Sequence, residues 1–417
     1  MLLLHHALLP VEVWLEIFDW ATFNPNISVD ESTPFQPIPD SNRRDPSLQV
    51  RLSLSQVCRS WRKWTAHALY NDIKIRHGVW ELQKLLAQHE QQHEQQHDPP
   101  RRFGDMVGGN SLLLPCLSQT NTVPMQVHRV VLPYDSTITG PVGDSKQTLA
   151  VEILELCPNL HTLLRPQHWL ADSLTFDWEA TDVSLPSLQR LEWWHHNEAE
   201  RSGGINSLGA VLRSSPNIRF LFIGGVVGRN HSCPQPEPLT LQKLEMLRLH
   251  IRSGLLTRQI IMRWTMPFLT HIILDSPPIE DGLQEIWHAF GHQLQVVEFG
   301  KHVRFLMAED LTHCIQSCPN LRKLYYYLFF TNSASLSEAH ENLTTIGIHL
   351  HVNSLLYNGG DVWKLIERHF STFCGPHLTA LRKVVLYGDW RSILHHPRFA
   401  PIQDMIRTAG RTIEVST

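Results

Sequence analysis

Along most of this chain the apolar residues recur as one short word: an apolar residue, two others, then an apolar-x-apolar pair. It runs Val127…Val130-Val131-Leu132, Leu160…Leu163, Leu188…Leu191-Glu192-Trp193, Ile218…Leu221-Phe222-Ile223 and Leu244…Leu247-Arg248-Leu249. It continues as Leu269…Ile272-Ile273-Leu274, Leu294…Val297-Glu298-Phe299, Leu321…Leu324-Tyr325-Tyr326, Leu343…Ile346-Gly347-Ile348 and Leu381…Val384-Val385-Leu386. Alternation of this kind predicts a short strand with one face in a core. Upstream of several words the spacing turns helical, as in Leu149, Ile153, Leu154 and Leu156; Leu208, Val211 and Leu212; and Leu311, Cys314 and Ile315. The words begin 22 to 38 residues apart. A strand and a helix per unit, stacked many times, predict an α/β solenoid with parallel strands inside and helices outside.

Most of those intervals match or border the roughly 20–29 residues of leucine-rich repeats. Three words are preceded by a shared turn: Cys157-Pro158-Asn159-Leu160, Ser215-Pro216-Asn217-Ile218 and Cys318-Pro319-Asn320-Leu321. Proline ends the preceding helix and biases the residue before it to an extended shape, and asparagine suits a turn. The pattern resembles the cysteine-containing type of leucine-rich repeat. Cys157 and Cys318 then read as small buried apolar residues, not as metal or redox groups.

The N-terminus carries a different pattern. Pro10 suits a helix's first turn, and two apolar stripes follow it: Val11, Trp14, Leu15 and Phe18, then Val13, Ile17, Trp20 and Ala21. One stripe is enough to pack a helix, so the second predicts a partner. Leu54, Val57, Cys58, Trp61, Trp64 and Leu69 repeat the theme. Together, Leu9-Pro10-x-Glu12, Ile17-Phe18 and Val57-Cys58-Arg59-Ser60-Trp61 resemble the F-box, the helical module that docks a substrate receptor onto the Skp-type adaptor of a cullin–RING ubiquitin ligase. The resemblance implies adaptor contacts by Leu9, Pro10, Glu12, Ile17, Phe18, Leu54, Val57, Cys58 and Trp61. It departs from the family in its long proline-rich insertion, at about residues 22–51, which reads as an exposed loop.

The expected organisation is thus α/β: an F-box-like helical domain over residues 1–75, a linker over 76–126, and a curved leucine-rich-repeat solenoid over 127–417. If Leu191 and Trp193 point into the core, alternation puts Arg190, Glu192 and Trp194 on the open concave face. Phe220, Phe222, Met246, Arg248, His250, Lys323, Tyr325 and Tyr327 join them there. Exposed Trp, Tyr and Arg are common binding anchors, so these residues are the candidate substrate surface. The competing reading has the array's own loops or tail cover them.

Composition narrows the function classes. Of 417 residues 42% are hydrophobic, enough for a substantial core, and the net charge of −4 provides no basic footprint for nucleic acid or anionic membrane. Seven unclustered cysteines suggest neither a disulfide framework nor a zinc ribbon. No apolar run reaches the roughly 18 residues of a membrane span, and the expected location is cytoplasmic or nuclear. His89-Glu90-Gln91-Gln92-His93 and His93-Glu94-Gln95-Gln96-His97 match the zinc-protease pattern, yet they arise from a low-complexity tract that reads as a linker. Gly224-Gly225-Val226-Val227-Gly228 lacks the spacing of a phosphate loop and reads as the loop leaving a strand. No catalytic residues, cofactor or metal are expected. The reading is a substrate-receptor subunit holding an unknown protein substrate. The alternative is a repeat scaffold whose F-box-like hairpin is only a cap.

Overall fold

The computed structural model describes residues 9–22, 33–39, 46–74, 127–132, 154, 157–165, 167, 184–195, 204, 207–225, 238–251, 254–276, 282–301, 303, 310–328, 331–351 and 362–416. The chain forms two compact units. The first comprises Met1–Ile27, Asp40–Leu188 and Glu198–Ser215; the second comprises Ser28–Pro39, Gln189–Asn197 and Pro216–Thr417.

In the first unit, helices α1 (Val11–Thr22), α2 (Pro46–Val57) and α3 (Arg59–Tyr70) pack on one another. Phe18, 2% exposed, lies against Trp14 and Trp61 with ring centroids 5.9 and 4.9 Å away, and Trp14 and Trp61 themselves meet at 4.8 Å. Cys58 caps α3, its Sγ accepting from the Trp61 N–H at 3.4 Å. Strands β1 (Asp72–Lys74), β2 (Arg129–Val131) and β3 (Thr162–Arg165) follow as a parallel set, with Arg129 clamping Asp72 across the first pair at 2.6 and 2.7 Å. The sheet therefore begins at residue 72, inside the stretch expected to be wholly helical. The insertion is also shorter than expected, because α2 starts at Pro46.

The second unit is mixed α/β around one large parallel sheet. Its strands are β4 (Arg190–Trp194), β5 (Phe220–Gly225), β7 (Met246–Ile251), β9 (His271–Leu274), β10 (Val296–Phe299), β11 (Lys323–Tyr327), β12 (Thr345–Leu350), β13 (Lys383–Gly388) and β14 (Thr412–Val415), hydrogen-bonded in that order. A separate parallel pair, β6 (Leu239–Thr240) with β8 (Trp264–Thr265), lies outside it. All ten words of the sequence pattern fall on strands; β1 and β14 carry no such word. Among the described residues the helices between strands are α4 (Leu208–Ser214, in the first unit), α5 (Gly254–Arg263), α6 (Gly282–Phe290), α7 (Asp310–Ser317), α8 (Val362–Cys374), α9 (Arg391–Leu394) and α10 (Ala400–Thr408).

Register explains the core. Leu191, Leu221, Leu247, Ile272, Val297, Leu324, Ile346 and Val384 stand side by side across the strands, all fully buried. Before seven of the strands a turn closes from the N–H of the first leucine to the carbonyl three residues back, as in Leu160 to Cys157 (3.1 Å), Leu269 to Met266 (3.2 Å), Leu321 to Cys318 (3.0 Å) and Leu381 to Leu378 (3.2 Å), while before β12 the Leu343 N–H donates to His340 Nδ1 at 3.1 Å. One carbonyl per repeat then accepts two successive N–H groups of the next. Gln189 takes Arg219 and Phe220, Arg219 takes Glu245 and Met246, Glu245 takes Thr270 and His271, and the ladder continues to Thr344, which takes Arg382 and Lys383. The asparagines stitch the same rim, with Asn320 donating to the His292 carbonyl (2.7 Å) and Asn342 to that of Pro319 (3.0 Å). Cys157 and Cys318 are buried in these turns, and burial pushes the Cys157 thiol up to about 11.

Helix α8 packs through Ile366, His369, Phe370 and Phe373. His369 Nε2 lies 2.9 Å from the Thr331 carbonyl, which can only accept, so Nε2 carries the proton. Nδ1 therefore accepts from the Tyr326 hydroxyl at 2.8 Å. Burial holds this imidazole neutral, its pKa lowered to about 4. Among the described residues no helix is long and apolar enough to cross a membrane.

Candidate functional site

The other face of the second unit's sheet presents the complementary rung: Glu192, Phe222, Arg248, Ile273, Glu298, Tyr325, Gly347, Val385 and Glu414. The flanking rungs on the same face add Arg190, Phe220, Met246, His271 and Lys323 at one end and Trp194, Gly224 and His250 at the other. Every candidate substrate residue named from the sequence lies on this face: Arg190, Glu192, Trp194, Phe220, Phe222, Met246, Arg248, His250, Lys323, Tyr325 and Tyr327. Most of the face is covered by another part of the chain, although Lys323 at its rim is exposed.

Residues 33–39, from the connection between α1 and α2, lie across it as a strap. For residues 33–39 this corrects the reading of the proline-rich insertion as an exposed loop. Phe35 sits in an aromatic cup, its ring centroid 5.0 Å from those of Tyr327, His349 and Tyr387 and 6.1 Å from Tyr325, all edge-on. Such pairs contribute about 0.5–1.5 kcal/mol each beyond their area. The Phe35 N–H donates to Glu298 Oε1 at 2.8 Å. Arg248 Nη2 donates to the Gln36 carbonyl at 2.8 Å, and Trp194 Nε1 to the Pro39 carbonyl at 3.2 Å. Ile38 packs with Met246 onto the cluster of Trp194, Phe220 and Phe222. Phe35 holds φ at +63°, a left-handed conformation that costs an L-residue roughly 1–2 kcal/mol. The strap contacts hold it there.

Two glycines make room for the sockets. A Cβ on Gly347 would overlap Tyr325 Cδ1 and come within 3.0 Å of Tyr387 Cε2. A Cβ on Gly224 would lie 2.6 Å from Trp194 and 2.8 Å from Phe222. Gly224 and Gly225 are thus the end of β5, not the loop after it, and Gly224 floors the Trp194 socket.

Beneath the strap lies a buried charge set. Arg248 grips Asp275 with both arms, Nε to Oδ2 at 2.6 Å and Nη2 to Oδ1 at 2.9 Å. Glu298 is 2% exposed, and its Oε2 has no hydrogen-bond partner among the described residues. Burial raises its pKa to about 7, outweighing the opposite pull of Arg248 and the Phe35 N–H, while Asp275 adds to the rise. Alongside, Arg190 pairs with Glu192 at 2.7 Å and lies 3.8 Å over the Phe220 ring.

The chain matches no known protein-family model and no curated protein.

The implied adaptor residues separate into two groups. Leu9, Pro10, Glu12, Ile17 and Val57 are exposed, and Leu54 is half-buried. Phe18, Trp61 and Cys58 instead serve the helical unit itself, the first two as its aromatic core and the third as a cap. Phe18 is buried there, while Trp61 and Cys58 are half-buried. The histidine tract 89–97 lies outside the described residues. Sequence reasoning missed Phe35, Ile38, Asp275, Glu298, Gly347, His349 and Tyr387. The alternation rule, carried through every repeat, would have placed Glu298, Gly347, His349 and Tyr387 on this face.

Proposed function

We propose that this chain is a substrate-receptor subunit of a cullin–RING ubiquitin ligase, with the α1–α3 helices as its F-box and the second unit as its leucine-rich-repeat receptor. The observation that carries the reading is the second apolar stripe of α1. Only Trp14, Phe18 and Thr22 turn inward, while Leu9, Val11, Val13, Leu15, Ile17 and Trp20 stay exposed, Trp20 at 80%. On α2, Val50, Leu52 and Val57 are likewise exposed. A helix this apolar on its outer side is a docking element, and Leu9, Ile17 and Val57 among these residues are ones the F-box resemblance assigns to an adaptor. The ladder of paired N–H groups on one rim fits a curved repeat array, whose strap-bearing side is then concave. The receptor performs no chemistry; it raises the local concentration of a substrate near the ubiquitin carrier.

The test is titration of a purified Skp-type adaptor against the full chain and against Leu9→Ala/Ile17→Ala. Wild type is expected to bind, and the variant at least about tenfold more weakly, since each buried aliphatic side chain contributes roughly 1.5–3 kcal/mol. Equal binding by both, or none by wild type, refutes the proposal.

A further inference from the structure

We infer that the strap-bearing face is a peptide-recognition site and that residues 33–39 are its resident ligand, a copy held in cis of what a partner presents in trans. The site would take an extended, proline-rich segment with an aromatic residue and, three positions toward its C-terminus, a branched aliphatic one. The inference rests on the reading of this face as the receptor surface.

The contacts have the grammar of peptide recognition. Three side chains read the strap's main chain: Glu298 accepts from one N–H, and Arg248 and Trp194 each donate to a carbonyl. Main-chain hydrogen bonds supply affinity that is indifferent to sequence, and pockets supply specificity. Here the pockets are two, the aromatic cup for Phe35 and the Trp194–Phe220–Phe222 cluster for Ile38. Pro34, Pro37 and Pro39 bring no N–H to the face, so the segment lays few unpaired donors over it.

A structural plug would be built differently. The strap covers buried Arg248, Asp275 and Glu298, whereas a surface meant only to be covered is better filled by apolar side chains, because buried ions are costly to desolvate. The strap packs on the Trp194, Phe220 and Phe222 cluster but lies on the sheet face opposite the leucine core, and Thr33 and Pro37 remain exposed. It can leave without opening that core. Phe35 is moreover held in a left-handed conformation, so a ligand making the same contacts from a relaxed backbone competes well against it.

The experiment uses the full chain with residues 33–39 replaced by a glycine-serine linker of equal length, and a fluorescein-labelled peptide of residues 31–41 read by anisotropy. A short tether gives the cis strap an effective concentration near the millimolar range. The peptide is therefore expected to bind the linker variant with a micromolar Kd and wild type at least about 50-fold more weakly. Alanine at the peptide's Phe35 or Ile38 position should weaken binding at least about tenfold. No binding to the folded linker variant up to about 1 mM, or equal binding to wild type, overturns the inference. If circular dichroism shows the linker variant unfolded, Phe35→Ala/Ile38→Ala in the full chain decides instead: no gain in peptide affinity over wild type overturns it. Adaptor titration of the same variants separates the two proposals. Peptide failure with adaptor binding intact sinks this inference alone, and the converse sinks the ligase reading alone.

Discussion

Arg248 is the one cation among two buried carboxylates beneath the strap, so replacing it by leucine isolates its electrostatic role. Asp275 then loses two hydrogen bonds, of 2.6 and 2.9 Å, and Glu298 loses the charge that opposes its burial. Breaking a buried pair by removing one partner typically costs about 3–5 kcal/mol. Spread over a unit of this size, that lowers the melting temperature by on the order of 10 °C. The pH dependence has a definite sign. Glu298 already has a raised pKa, so its contribution to stability is full below the ordinary carboxyl range and falls as pH rises through about 7. Without Arg248 the pKa rises further, so the deficit of Arg248→Leu relative to wild type should widen between pH 6 and pH 9. Thermal melts followed by circular dichroism measure this. The triple variant Arg248→Leu/Asp275→Leu/Glu298→Leu removes every charge of the set. It should recover most of the melting temperature, yet lose protection of the Phe35 amide from hydrogen exchange, because its acceptor is gone. A deficit below about 1 kcal/mol for the single variant, or one that narrows as pH rises, would refute the electrostatic account.

Gly347→Ala should cost about 1–3 kcal/mol by crowding Tyr325 and Tyr387 and weaken trans-peptide binding about tenfold. Gly209→Ala in α4, where the nearest side-chain atoms lie at 3.7 and 3.8 Å, should be neutral or stabilising in the same melts. Peptide affinity for the linker variant should show opposed titrations between about pH 4 and 7. Glu298, raised to about 7 by burial, favours binding at low pH, and His349, lowered to about 4 by burial, favours it at high pH. Glu298→Gln should therefore leave binding that weakens only on acidification, and His349→Gln binding that weakens only as pH rises; an unchanged profile in either refutes the assignment. His369→Leu orphans the Tyr326 hydroxyl and the Thr331 carbonyl. It should cost about 2–4 kcal/mol in denaturant titrations, and adding Tyr326→Phe should recover part of that loss.

The repeat was legible in the sequence because its signal is local and redundant: each strand carries two or three alternating apolar residues, and a turn precedes it. Strands β1 and β14 were not, since Ile73 stands alone in the first and the pair Ile413-Glu414-Val415 of the second has Gly410 where the word needs its leading apolar residue. The face of the sheet was legible by the same alternation, which placed eleven residues on it. What covers the face was not. Phe35 and Ile38 are two apolar residues in a proline-rich stretch, and nothing local distinguishes a solvated loop from one seated 263 residues away on Glu298. At α1 the two stripes were visible, but which faced inward depended on Trp61, more than forty positions downstream.

The carbonyl ladder along the rim has a consequence for how such a chain can change over time. At the rim each repeat is fastened to the next by two N–H groups on one oxygen, and beside it by the strand ladder. What runs from one strand to the next turn lies outside that rim, and units of 22 and 38 residues coexist in one register. Length is therefore cheap on one side of the sheet and forbidden on the other. Duplication, loss or elaboration of a unit leaves its neighbours' alignment intact, so the row of side chains on the strap face can be lengthened or rewritten one residue at a time.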